Sequence, residues 1–313
     1  MKLALLFPGQ GSQRVGMGAE LATNFTAARH AFEEADEALG FALSRLCFEG
    51  PEEQLRLTSN TQPAMVAVAI AAHRALAAEV ALEVELGAGH SMGEYSALVA
   101  AEALDFASAM RAVRERGRLM QEACPPGQGT MAALIGLEPA VVDEICRELS
   151  VGGQIVVPAN LNAPGQIVVA GHTAAVRRAI ELAKERGGAM AVELKVSGPF
   201  HSPLMASARA GMEKMLDGLA VGPLRFGVIA NVIAAVNTDP ARVKPLLLEQ
   251  ITAPVRWGES MGVVARHGIT EALEFGCGKV LAGMMRRIDR NIKVRPVEDL
   301  ASLKAAVTAL AAG

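Results

Sequence analysis

Residues 80–100 read VALEVELGAGHSMGEYSALVA, and this stretch narrows the possible folds more than any other. A strand candidate, Val80–Leu86, runs into Gly89-His90-Ser91-Met92-Gly93, and a helical pattern over Tyr95–Ala103 follows. In a strand–GxSxG–helix turn, small glycines permit tight backbone angles that lift the serine hydroxyl clear of the sheet. The amides after the serine open a helix and favour negative charge on an acyl oxygen. Ser91 is therefore a candidate nucleophile that receives an acyl group. The motif does not say whether water or another molecule takes that group away.

The flanking pattern supports a parallel sheet. Leu3–Phe7 is a continuous apolar run ending at Pro-Gly, which suits a buried parallel strand. Helical patterns follow over Ala19–Leu39, over Gln62–Glu79 behind a cap at Thr61, and over Phe106–Ala123. Strands alternating with helices predict a sheet covered on both faces. The run Pro125–Gly129 (PPGQG) stops this series. Beyond it the order is strand (Met131–Ile135), helix (Pro139–Leu149), strand (Ile155–Ala159), strand (Gln166–Ala170), helix (Thr173–Arg186) and strand (Ala189–Val196). This βαββαβ order is that of a ferredoxin-like unit. Mixed α/β patterns resume after Ser197, with strands expected at Val228–Asn231 and Ile269–Phe275. The expected fold class is α/β: a large domain with a parallel sheet, residues 1–127 and 197–313, and a ferredoxin-like subdomain inserted at 128–196.

Composition narrows the partners. The 313 residues are 51% hydrophobic with a formal net charge of −3. Nucleic acid and an anionic membrane are thus not expected as partners. The longest apolar run, Pro63–Ala72, falls short of the roughly 18–20 residues a membrane span needs. The opening MKLALLF meets Pro8-Gly9 too soon to form a signal-peptide core. Cys47, Cys124, Cys146 and Cys277 are widely spaced and read as free thiols in a reducing compartment. A cytoplasmic monomer is the expectation.

A serine nucleophile needs a base, usually histidine. His30 and His73 lie inside helical patterns, His90 adjoins the serine with its ring expected to point away, and His172 and His267 sit at helix ends. His201 lies in VSGPFHSPL, an irregular segment between two prolines, where a scaffold can position a catalytic side chain. It is the favoured base, with an ordinary loop histidine as the alternative. A hydrolase triad would add an acid in the order Ser, Asp/Glu, His. The only aspartates between Ser91 and His201, Asp105 and Asp143, belong to helical patterns, as do most of the glutamates. A serine–histidine dyad oriented by neutral groups is the better expectation. The glycine-rich FPGQGSQ lacks the spacing of either nucleotide-binding loop, so a nucleotide site is disfavoured.

Seven segments coincide in order with one family: LFPGQGSQ (6–13), TQPAM (61–65), GHSMGEYSALVA (89–100), RGRLMQEA (116–123), NAPGQIVVAG (162–171), GPFHSPLM (198–205) and APVRW (253–257). Together they resemble the malonyl-CoA:acyl carrier protein transacylases. The resemblance implies an α/β-hydrolase-like large domain with a ferredoxin-like insertion. It implies Ser91 as nucleophile, His201 as general acid/base, and the backbone amides of Gln10 and Met92 as the oxyanion hole. It places Gln250 near the histidine and Asn160 and Gln166 along the interdomain cleft, and it assigns the substrate's carboxylate to Arg116. It further implies malonyl-CoA as substrate, a holo acyl carrier protein as acceptor, and neither metal nor bound cofactor. Two departures stand out: Met92 replaces the usual leucine, and Gly276-Cys277-Gly278 replaces glycine-proline-glycine.

Helical geometry reads Arg116 independently. At about 100° per residue, Phe106, Met110, Val113 and Met120 share a face, while Arg111, Arg114 and Arg118 cluster opposite. Arg116 falls at the border of the apolar stripe and is the arginine placed to reach inward. A guanidinium fork matches a carboxylate with two parallel hydrogen bonds. Two alternatives stay open: a thioesterase or esterase of the same fold, and a relative serving polyketide synthesis or malonate decarboxylation.

Overall fold

The first strand sets the layering of the molecule. A computed structural model describes residues 2–311, and in it β1 (Leu3–Phe7) is buried along its whole length. Leu3, Leu5 and Phe7 enter one core while Ala4 and Leu6 enter another. Alternation between two apolar cores is what a central strand covered on both faces must show. The remaining strands are β2 (Val84–Gly89), β3 (Gly129–Ile135), β4 (Val156–Ala163), β5 (Gln166–His172), β6 (Met190–Glu193), β7 (Gly227–Ala230), β8 (Ala235–Asn237), β9 (Glu271–Phe275) and β10 (Lys293–Val297).

Six strands form the main sheet in the order β10-β9-β1-β2-β7-β8. Every pairing in it is parallel except β7–β8. On one face lies the helix Thr58–Glu79, buried over most of its length and packed against the helices Thr26–Leu39 and Phe106–Glu122. The other face is filled by Trp257 and Met261 of the helix Trp257–Arg266 and by Leu281 and Met285 of Val280–Ile288.

Four strands form a second sheet, β4-β5-β3-β6, antiparallel throughout. This is the strand order of a ferredoxin-like unit. The helices Pro139–Leu149 and Thr173–Glu185 supply Val142, Ile145, Val176 and Ala179 to a separate core on one of its faces. Met131, Ala159, Val168 and Ala170 instead join the core of the large helical layer. The second sheet is tied to the segment before the helix Trp257–Arg266, where Val255 N–H donates to Ala159 O and Leu161 N–H donates to Val255 O, each at 2.9 Å.

Several expected boundaries move. The Ala19–Leu39 helix is two helices, Ala19–Asn24 and Thr26–Leu39, because Phe25 between them is extended (φ −125°, ψ 120°). The helix expected behind Thr61 already starts at Thr58, and the Thr61 hydroxyl donates to Leu55 O at 2.6 Å. Val80 is the extended residue that ends this helix, so β2 begins only at Val84 and runs on to Gly89. The strand β10 has no counterpart in the sequence reading; it is an edge strand carrying Pro296, and its side chains are mostly part-exposed. Among the described residues no helix is long and apolar enough to cross a membrane.

Candidate active site

The turn after β2 is built by contact as much as by conformation. A Cβ on Gly89 would lie 1.9 Å from Gly93 O, and one on Gly93 would lie 2.3 Å from Phe7 O. Only glycine fits either position, which is the physical content of the GxSxG spacing. His90 N–H donates to Phe7 O at 2.9 Å, tying the turn to β1. Ser91, between the two glycines, is held at φ 52°, a left-handed conformation uncommon outside glycine. Its N–H donates to Asn231 Oδ1 at 2.7 Å, and Asn231 Nδ2 in turn donates to Gly89 O at 2.7 Å.

His201 comes from the distant Pro199–Pro203 segment and is also left-handed, at φ 58°. Its Nε2 lies 2.7 Å from Ser91 Oγ, and its Nδ1 lies 2.8 Å from the backbone oxygen of Gln250. A carbonyl oxygen only accepts, so Nδ1 carries the proton and Nε2 presents its lone pair to the serine hydroxyl. Burial, then the charge of Arg116, pushes the imidazole down to about 3. The ring is therefore neutral at pH 7 and available as a base. Its orienting partner is a neutral carbonyl, as expected from the lack of a loop carboxylate; Asp105 accepts from Ser108 N–H as a helix cap.

Arg116 is fully buried, with 0% of its surface exposed. Its Nη1 donates to Gln62 Oε1 at 2.8 Å; Nη2 donates to Gln250 Oε1 at 2.8 Å and to Ser91 Oγ at 3.2 Å. Its Nε–H has no partner among the described residues. The other arginines of the helix differ: Arg118 pairs with Glu115 and Glu122, Arg111 with the Ser108 hydroxyl, and Arg114 lies over the Phe41 ring. An arginine keeps its charge when buried, so the cavity beside Ser91 holds a permanent cation.

That cavity has a volume of about 110 Å³ and is lined by Ser91, His201, Arg116, Gln62, Asn160 and Gln10, with Met120, Met131 and Phe200 among its apolar walls. A wider vestibule of about 440 Å³ shares Gln10, Leu194 and Val196 with it and adds Arg56 and Lys195. Gln10 lies in the turn after β1, and Met92 is the first residue after Ser91, at the start of the helix Gly93–Ala100. The His90 ring turns to Asn162 Oδ1 (2.8 Å) and Trp257, although the residue still borders the cavity.

Six of the eight residues expected at the site, Ser91, His201, Arg116, Gln250, Gln10 and Asn160, converge here, and Met92 adjoins them. Gln166 does not. It opens β5 beside the Ala163–Gly165 turn and is not among the cavity-lining residues. Three residues went unremarked as site groups: Gln62, Asn231 and Glu94. Gln62 and Glu94 lie inside the motifs TQPAM and GHSMGEYSALVA, and their burial (1% and 3% exposed) is what marks them out. Of the other histidines, His73 packs edge-on against Phe7 and Phe275, and His172 Nδ1 accepts from Ile155 N–H. Among the described residues no group of three His, Cys, Asp or Glu side chains is placed to hold a metal ion.

Known proteins share this fold and much of this sequence. The acyl transferase domain family matches residues 4–267. The malonyl CoA-acyl carrier protein transacylase of Bacillus subtilis (strain 168) is 44% identical over 309 residues, covering 99% of this chain and 97% of its own. The crystal structure of the acyl-carrier-protein S-malonyltransferase from Burkholderia pseudomallei 1710b has a TM-score of 0.95 at 43% identity, covering 98% of this chain and 100% of that one. A malonyl-transacylase solved in complex with a type II polyketide acyl-carrier protein has a TM-score of 0.96 at 41% identity, covering 99% of this chain and 100% of that one. With a serine–histidine pair at a glycine-walled turn and a buried arginine beside it, the chain belongs to the acyl transferase domain family and, within it, to the malonyl CoA-acyl carrier protein transacylases.

Proposed function

We propose that this chain moves a malonyl group from malonyl-CoA to the phosphopantetheine thiol of an acyl carrier protein, through an ester on Ser91. The reading rests above all on Arg116. A fully buried cation 3.2 Å from the nucleophilic oxygen selects an acyl group that brings its own carboxylate. An acetyl group would leave that charge unpaired, at a cost of about 3–5 kcal/mol.

In the first half-reaction His201 Nε2 takes the Ser91 proton while Oγ attacks the thioester carbonyl. The amides of Gln10 and Met92 hold the resulting oxyanion, each such donor being worth about 2.7–4 kcal/mol. The carbon–sulfur bond breaks, His201 returns the proton to the coenzyme A sulfur, and malonyl-Ser91 remains. In the second half-reaction His201 takes the proton of the carrier's thiol, the thiolate attacks the ester, and the proton returns to Ser91 Oγ. Atoms and charge balance without a metal or bound cofactor; malonyl-CoA is a substrate. The vestibule flanked by Arg56 and Lys195 gives both long pantetheine arms a route to the serine. Asn160 serves as cavity wall, residues 128–196 act as an inserted subdomain closing over the serine, and the chain works as a cytoplasmic monomer supplying fatty acid synthesis.

Intact-mass analysis after mixing with malonyl-CoA tests this. A malonyl adduct is expected, discharged faster by holo carrier protein than by water. Ser91→Ala should form none; an adduct on that variant would overturn the mechanism.

A further inference from the structure

Glu94 lies three residues after the nucleophile, in the first turn of the helix Gly93–Ala100, and is 3% exposed. Acidic residues are common in first turns because they complement the helix dipole. Glu94 does something else. Its Oε2 accepts from Asn231 N–H at 3.0 Å and from Gln250 Nε2 at 2.7 Å, both from other parts of the chain.

Gln250 is where the two halves of the site meet. Its backbone oxygen fixes the His201 tautomer, and its side chain, 0% exposed, is bonded at both ends. Nε2 faces three oxygens: Glu94 Oε2 at 2.7 Å, Ser91 O at 3.0 Å and Asn231 Oδ1 at 3.4 Å. Oε1 is thereby turned to Arg116 Nη2 at 2.8 Å. All three oxygens also accept from a backbone N–H, but Glu94 Oε2 is the shortest of the three contacts and the one carboxyl acceptor, which makes it the strongest hold on the amide. Reversing the carboxamide would set N–H against guanidinium and oxygen against carboxyl oxygen.

We propose that Glu94 is a positioning residue for acyl selectivity: through the Gln250 carboxamide it holds the Arg116 guanidinium in register with Ser91. The inference rests on the function proposed above, since register matters only if Arg116 receives the acyl carboxylate. Burial pushes the Glu94 carboxyl up to about 7, against bonds from Asn231 and Gln250 and the charge of Arg116. Both of its bonds are accepted by Oε2 from amide N–H groups, so an accepting oxygen is what the geometry uses, and a glutamine oxygen can supply it.

The test compares malonyl-CoA and acetyl-CoA loading of Ser91 in the full-length wild type, Glu94→Ala, Glu94→Asp and Glu94→Gln. Glu94→Asp keeps a carboxylate in the core but is one methylene short of Gln250, and it carries the test if the alanine variant is insoluble. Alanine and aspartate should lower the malonyl-to-acetyl ratio about tenfold, the upper end of what one lost hydrogen bond is worth. The change should fall mainly on the KM for malonyl-CoA, and Glu94→Gln should restore the ratio to within about threefold because its oxygen can accept the same bonds. In an Arg116→Ala background, adding Glu94→Ala should leave the ratio where it was. Equal losses for both acyl groups, an unchanged ratio, failure of the glutamine to restore it, or a further fall without Arg116 would each overturn the proposal. A wild type that shows no preference for malonyl would instead sink the functional reading, and this inference with it.

Discussion

The two sheets divide the labour of the site unequally. The parallel sheet delivers reactive groups at tight turns: Ser91 follows β2 at φ 52°, its N–H held by Asn231 just after β7, and Gln10 follows β1. The antiparallel sheet delivers walls. Met131 of β3 and Asn160 of β4, the latter where the β4–β5 register shifts, border the cavity from strand positions, and neither is bonded to the Ser91–His201 pair. Parallel strands all end on one side, so their connecting turns and helix N-termini converge on a single line. An antiparallel sheet with neighbouring strands ending on opposite sides offers no such convergence; it lends strand side chains to the cavity wall.

Three substitutions and one titration would break or sharpen that division. The largest effect belongs to His201→Ala, which should slow malonylation of Ser91 by about 10³-fold or more in single-turnover mass measurements. A loss of less than tenfold would mean that the parallel-sheet turn activates the serine without this base. Next comes Arg116→Ala, expected to lower the malonyl-to-acetyl loading ratio by about a hundredfold, with acetyl loading kept or raised. Equal falls for both would remove Arg116 as the carboxylate partner. Met131→Ala, on the wall, should cost about 2–5 kcal/mol of stability by denaturant unfolding, since Met131 is 4% exposed. Its loading rate should change less than tenfold; a collapse in the folded variant would show that the wall takes part in the chemistry.

The smallest effect is one of protonation. With His201 pushed down to about 3 by burial and by Arg116, the folded ring binds fewer protons than the unfolded one at every pH below about 6.5. The stability it contributes is therefore present above the unfolded value and lost as pH falls through 6.5 towards 3. Imidazole nitrogen NMR between pH 8 and 5 should show a neutral Nδ1–H tautomer throughout. A midpoint near 6.5 would contradict the buried site.

Much of this was legible in the residues. The continuous apolar run Leu3–Phe7, the GxSxG glycines and the βαββαβ order each encode a local physical constraint, and each is found where it was expected. Arg116 was legible because helical spacing alone separates it from Arg111, Arg114 and Arg118. The groups that tie the site together were not. Gln62, Glu94 and Asn231 are ordinary polar residues in the chain, and their meaning comes from buried partners far off in sequence: Gln62 meets Arg116 across 54 positions and Glu94 meets Asn231 across 137. No periodicity marks such a meeting. Gln166, placed on the cleft by resemblance, shows the opposite limit: a position inside a family motif can still lie off the cavity in this chain. Helix starts were also misjudged, because Thr58 begins its helix without a side-chain cap and Thr61 spends its hydroxyl on Leu55.

The neutral partner of His201 has a consequence for the direction of flow. A carboxylate behind the ring would make the imidazolium a comfortable resting place for the proton. The Gln250 carbonyl offers less, so in the proposed cycle the proton is handed onward soon after it is received. Over the full cycle one thioester is exchanged for another by way of the oxygen ester on Ser91, so the starting and final acyl carriers are of similar energy. Such a site behaves as a reversible exchanger: the relative amounts of coenzyme A thioester and carrier thioester, rather than the protein, decide which way malonyl groups travel.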